Sequence, residues 1–144
     1  MKIPALFITT IFFTSFVGCL DDDTEICELE LIAQEGEYGY CEFILFQDEV
    51  KVWWDYEHKD GTSNVDIYIV DEPNYLEYHN DDPFVTVSQL SKENVKTTSL
   101  SKTEIKLNKD MDYYIIVDHT TTGKAQPNPG DDVWFKIVLN IEKA

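Results

Sequence analysis

From Val133 to Ile141 the chain alternates without a break. Val133, Phe135, Ile137, Leu139 and Ile141 fall on one side, with Trp134, Lys136, Val138 and Asn140 on the other. A period of two is the pattern of a strand that lays one face on a core, and it is incompatible with the 3.6-residue period of a helix. The same pattern recurs along the chain. Val50, Val52, Trp54 and Tyr56 share a face, as do Val65, Ile67 and Ile69, and Met111, Tyr113, Ile115 and Val117. Turn signals punctuate these runs at Asp60–Gly61–Thr62–Ser63–Asn64, at Asn80–Asp81–Asp82–Pro83 and at Asn108–Lys109–Asp110. A helical turn is expected only over Asn74 to His79, with a short irregular or helical link over Ser88 to Asn94. About eight short strands without a long amphipathic helix predict an all-β fold, an antiparallel jelly-roll-like β-sandwich, because a parallel sheet would need crossover helices.

The amino terminus sets the address. Lys2 precedes an apolar stretch, Ile3 to Val17, suited in length to a signal h-region and short for a membrane span. It stops at Phe16–Val17–Gly18–Cys19–Leu20, where the bulky Phe16 disfavours ordinary cleavage after Gly18 and a cysteine follows the cut. This predicts a signal peptide over residues 1–18, a lipidated Cys19 opening an acidic tether over 19–25, and a β-sandwich domain over 26–144. The protein is then held to a membrane by lipid, outside the cytoplasm, at the cell surface or in a periplasm.

With Cys19 lipidated, Cys27 and Cys41 are left to pair. Their disulfide would close a loop of about fifteen residues, a stabilisation of about 3 kcal/mol, in an oxidising compartment. Ile26 to Ala33, the turn at Glu35 to Gly39 and the run from Cys41 to Phe46 predict a hairpin stapled by this bridge.

Acidic residues outnumber basic ones 28 to 11, for a formal charge of −17, and every basic residue is Lys. Such a surface repels nucleic acid and lacks the Arg fork for phosphate, so nucleic-acid partners are excluded. Asp71, Glu72, Asp81, Asp82, Asp118, Asp131 and Asp132 lie at strand ends or in loops, and Asp71, Glu72, Asp118, Asp131 and Asp132 form the candidate calcium set, since hard cations take carboxylate and carbonyl oxygens. Trp53, Trp134, Tyr68 and Tyr114 are out of phase with the apolar faces of their strands and form a candidate aromatic patch for a glycan or a protein, against the competing reading that both sides of those strands are covered. His58, His79 and His119 have no zinc spacing and are expected in loops or at the surface. No nucleophile motif is present, so the chain is read as a non-catalytic module with no cofactor other than candidate calcium.

Two segments carry a family likeness: Val65–Asp66–Ile67–Tyr68–Ile69–Val70–Asp71–Glu72–Pro73–Asn74–Tyr75 and Met111–Asp112–Tyr113–Tyr114–Ile115–Ile116–Val117–Asp118–His119–Thr120. Together they resemble the strands of bacterial and archaeal pre-peptidase C-terminal domains and the related Golgi-dynamics domains, with His119 where an Asn is usual. The resemblance spans roughly residues 50–141. It implies a jelly-roll-like accessory module that serves a protein partner and carries no catalytic residue.

Overall fold

The computed structural model describes residues 2–5, 10–13 and 24–144. Cys19 and most of the expected leader and tether lie outside the described residues. Among the described residues the strands are β1 (Ile3–Pro4), β2 (Thr10–Phe13), β3 (Thr24–Ala33), β4 (Glu37–Ile44), β5 (Glu49–Asp60), β6 (Val65–Asp71), β7 (Lys92–Val95), β8 (Thr98–Lys106), β9 (Asp112–His119) and β10 (Val133–Lys143), with one α-helix, α1 (Glu72–His79), after β6. They form two five-stranded sheets. One has the order β1-β4-β9-β6-β7 and the other β2-β3-β10-β5-β8. Every pairing is antiparallel except β1 with β4. The all-β sandwich read from the alternation is therefore the fold.

Chain connections cross repeatedly between the sheets, as in a jelly roll. β3 to β4, β4 to β5, β5 to β6, β7 to β8, β8 to β9 and β9 to β10 each change sheet. This corrects the expected hairpin: β3 and β4 do not pair but arch across the sandwich through Gln34 to Gly36. Cys27 and Cys41 are both buried, and their disulfide joins the two sheets through the core. Gly39 makes room for this arch, since a Cβ there would sit 2.9 Å from Leu31 and Phe135 side-chain atoms.

The inter-sheet core is built from the alternating sets: Leu29 and Leu31, Val52, Trp54 and Tyr56, Ile67 and Ile69, Ile115 and Val117, and Phe135 to Ile141. Trp54 is fully buried and its indole N–H donates to the Leu90 carbonyl at 2.9 Å, which fastens the 3-10 turn Ser88–Leu90 onto the core. A buried indole N–H needs such a partner.

Candidate functional site

β9 has both faces covered. Tyr113, Ile115 and Val117 point into the inter-sheet core, so Tyr114, Ile116 and Asp118 stand on the outer face. Register then builds rows across three strands: Tyr38, Asp118 and Asp66; Tyr40, Ile116 and Tyr68; Glu42, Tyr114 and Val70. α1 lies over this face and closes a second, smaller core of Tyr38, Tyr68, Val70, Tyr78, Tyr114 and Ile116, with Tyr75 and Phe84 packed against it.

α1 forms here for local reasons. Asp71 caps its amino end by accepting from the Asn74 N–H at 3.1 Å, Pro73 sits in the first turn, and Glu72 meets the positive end of the helix dipole. At the other end Asn80 is the cap and Asp81 takes a left-handed conformation, φ 62°. The Asp81 N–H donates to the Tyr78 carbonyl at 3.2 Å and the Asp82 N–H to the Glu77 carbonyl at 2.9 Å, the paired bonds of a Schellman ending. Tyr75 stacks on Tyr114 with ring centroids 4.0 Å apart, and the Tyr38 hydroxyl bonds the Tyr75 hydroxyl at 2.9 Å and His79 Nδ1 at 2.7 Å.

Two carboxyl groups lie opposite each other inside this layer, and both residues are fully buried. Asp66 accepts from the Asn94 N–H at 2.8 Å and the Ala125 N–H at 3.1 Å. Burial pushes its carboxyl up to about 6, against the pull of those two amides, with the charges of Asp118 and Glu93 adding to the rise. Asp118 accepts from the Tyr78 hydroxyl and, at 2.7 Å, from the Thr120 hydroxyl, while its Oδ2 has no hydrogen-bond partner among the described residues. Burial raises the Asp118 carboxyl as well, opposed by those hydroxyls and by the charge of Lys2. Gly123 allows the covering loop to approach: a Cβ there would lie 1.9 Å from the Tyr68 hydroxyl and 2.2 Å from Asp66 Oδ2.

Beside this acidic centre the Lys2 ammonium is held by the carboxyl end of α1. It donates to the Tyr78 carbonyl, lies 2.8 Å from Asp81 Oδ1, and sits 4.1 Å from the centroid of the Tyr78 ring. The Lys2 backbone N–H donates to the His79 carbonyl at 3.2 Å. Lys2 pulls the Asp81 carboxyl down to about 2. Helix-end carbonyls, a carboxylate and an aromatic face are together a receptor for a cation.

The four aromatic candidates do not converge. Tyr68 and Tyr114 are buried under α1 and its following loop, while Trp53 and Trp134 are on the outer face of the other sheet. In the β10 register Trp53 lies opposite Asn140 and Trp134 opposite Asp60, about 20 Å apart along the strand. Each Trp is covered by a lysine, Lys102 Nζ 4.2 Å over Trp53 and Lys59 Nζ 5.2 Å over Trp134.

Nor do the five candidate calcium residues meet. Asp71 and Glu72 cap α1 at one end of β9, and Asp118 is buried at the other. Asp131 is near that second end, but its carboxylate accepts from the Thr62 and Ser63 amides at 2.9 to 3.2 Å, and the Ser63 contact leads in holding it well below the usual carboxylate range. Asp132 is exposed. Among the described residues no group of three or more His, Cys, Asp or Glu side chains is placed to hold a metal ion. His119 departs from the loop expectation: it ends β9, is buried, and its Nε2 bonds the Asp131 carbonyl at 2.7 Å while Nδ1 has no partner among the described residues.

Tyr38, Tyr75, Tyr78 and Asp66 build the site and were not among the candidates read from sequence, whereas Asp81 was among the loop acids read there. The available signal was their phase: Asp66 and Tyr68, like Tyr114 and Asp118, alternate against residues of the inter-sheet core. No family model, curated protein or solved structure matches the chain.

Proposed function

We propose that this protein is a lipid-anchored, extracytoplasmic, non-catalytic module that binds a protein partner at the cell surface. The observation that carries the reading is the buried Cys27–Cys41 bridge joining the two sheets. A disulfide built into the core belongs to an oxidising compartment. That fits export by a leader that ends at Phe16–Val17–Gly18, just before Cys19, with two acyl chains giving stable anchoring where one is marginal. The binding role is supported by the cation-receiving end of α1 at the edge of a sheet, and the likeness to pre-peptidase C-terminal and Golgi-dynamics domains points the same way.

Cys19→Ser in the native host tests the reading. The wild-type protein should sediment with membranes and co-purify with a membrane protein after gentle detergent extraction. The variant should lose membrane association while keeping its fold by far-ultraviolet circular dichroism. Equal membrane association of both forms, with residues 1–18 absent from both by intact mass, would overturn the lipid anchor, and a wild-type protein that runs as a lone monomer would overturn the partner.

A further inference from the structure

Lys2 to Ala5 displays what the edge of one sheet accepts. β1 lies parallel to β4, with Ile3 opposite Glu37 and Pro4 opposite Tyr38, and the Ala5 N–H donates to the Tyr38 carbonyl at 2.7 Å. One strand position earlier, Lys2 is sunk at the end of α1 and only 6% exposed. A groove of about 440 Å³ continues from it, lined by Asp81, Asp82, Pro83, Phe84, Thr121 and Thr122. This is strand addition to a sheet edge, with backbone bonds for affinity and a side-chain pocket for selectivity.

Removal of residues 1–18, on which the proposed function rests, strips this occupant away. β4 is left as an edge with unpaired backbone groups, a surface that recruits another strand. The Tyr78 and His79 carbonyls lose the donors of Lys2, and the Asp81 carboxylate and the Tyr78 ring lose its ammonium. We propose that the β4 edge and the carboxyl end of α1 bind an extended, lysine-bearing segment of a partner protein, laid parallel to β4 with its ammonium over the Tyr78 ring. An ammonium suits the site better than calcium, which asks for six to eight oxygens, whereas here an aromatic face fills one side. The overall charge of −17 draws basic segments from a distance.

The test uses the lipidated protein extracted in detergent, its amino terminus read by intact mass, and the peptide acetyl-Gly-Lys-Ile-Pro-Ala-Gly-amide as the probe. Binding should be saturable by isothermal titration. Acetylating the peptide lysine should weaken it at least about tenfold, and Asp81→Asn by about threefold to tenfold, as losing an ion pair and a cation–π contact implies. Glu104→Gln, on exposed β8, should leave the affinity unchanged. No binding, binding indifferent to lysine acetylation, or a response to calcium alone would overturn the proposal. If the mass begins at Cys19, such a result leaves the proposed address standing. A mass that retains residues 1–18 overturns both.

Discussion

Replacing Asp66 by Asn should flatten the pH dependence of stability between about pH 4.5 and about pH 7.5. The Asp66 carboxyl is buried and raised to about 6, where an unfolded chain has a value near 4. A raised acid binds its proton more tightly when folded, so folding gains stability as the pH falls through about 6, and the gain saturates near about 4. Integrating that difference over the stated range gives about 2 kcal/mol more stability at the acid end from this one group. Asp66→Asn removes the titration while its amide oxygen still accepts the Asn94 and Ala125 N–H groups, both of which bond Oδ1. Urea unfolding followed by tryptophan fluorescence reads the effect, with Trp54 reporting from the core. The wild-type midpoint should rise on acidification by about 1 M urea more than the variant midpoint. Comparing the two proteins cancels the titration of carboxylates remote from Asp66, which shares the same sign, while the part of the Asp118 titration that is coupled to Asp66 stays in the difference. Parallel curves for the two proteins would refute a buried Asp66 carboxyl that titrates in this range.

Gly123→Ala should cost about 1–3 kcal/mol, because a methyl there overlaps the Tyr68 hydroxyl and Asp66, and the melting temperature should fall by several degrees. Changing Cys27 and Cys41 together to Ala should remove about 3 kcal/mol by loss of the bridge, and reducing agent should then have no further effect on the unfolding midpoint. Trp54→Ala should cost about 3–5 kcal/mol in urea unfolding followed by far-ultraviolet circular dichroism. Trp54→Phe, which keeps most of the packing but leaves the Leu90 carbonyl without its donor, should cost about 1–2 kcal/mol.

The strands were legible because alternation is local. Val133 to Ile141, Val50 to Tyr56 and Met111 to Val117 each declare their buried face within one run, and the structure buries those faces. Crossovers were not legible: Cys27 and Cys41 flank a short turn in either a hairpin or an arch, and only tertiary packing sends β4 into the opposite sheet. The acidic centre was hidden by register. Asp66 reads as an outward-phase residue of its strand and Asp118 as a strand-end acid until antiparallel pairing sets them side by side. Tyr38 was concealed in a stretch rich in Gly and Glu that read as a turn, although β4 already begins at Glu37. Tyr68 and Tyr114 looked outward by phase, which was correct, but α1 covers that side and makes them a second core.

Intact mass of the protein taken from its native membrane, before and after reduction, tests the whole account most directly. A chain that begins at Cys19, carries acyl chains and gains about two mass units on reduction is the predicted result. A mass that keeps residues 1–18, lacks lipid or does not change on reduction would contradict it.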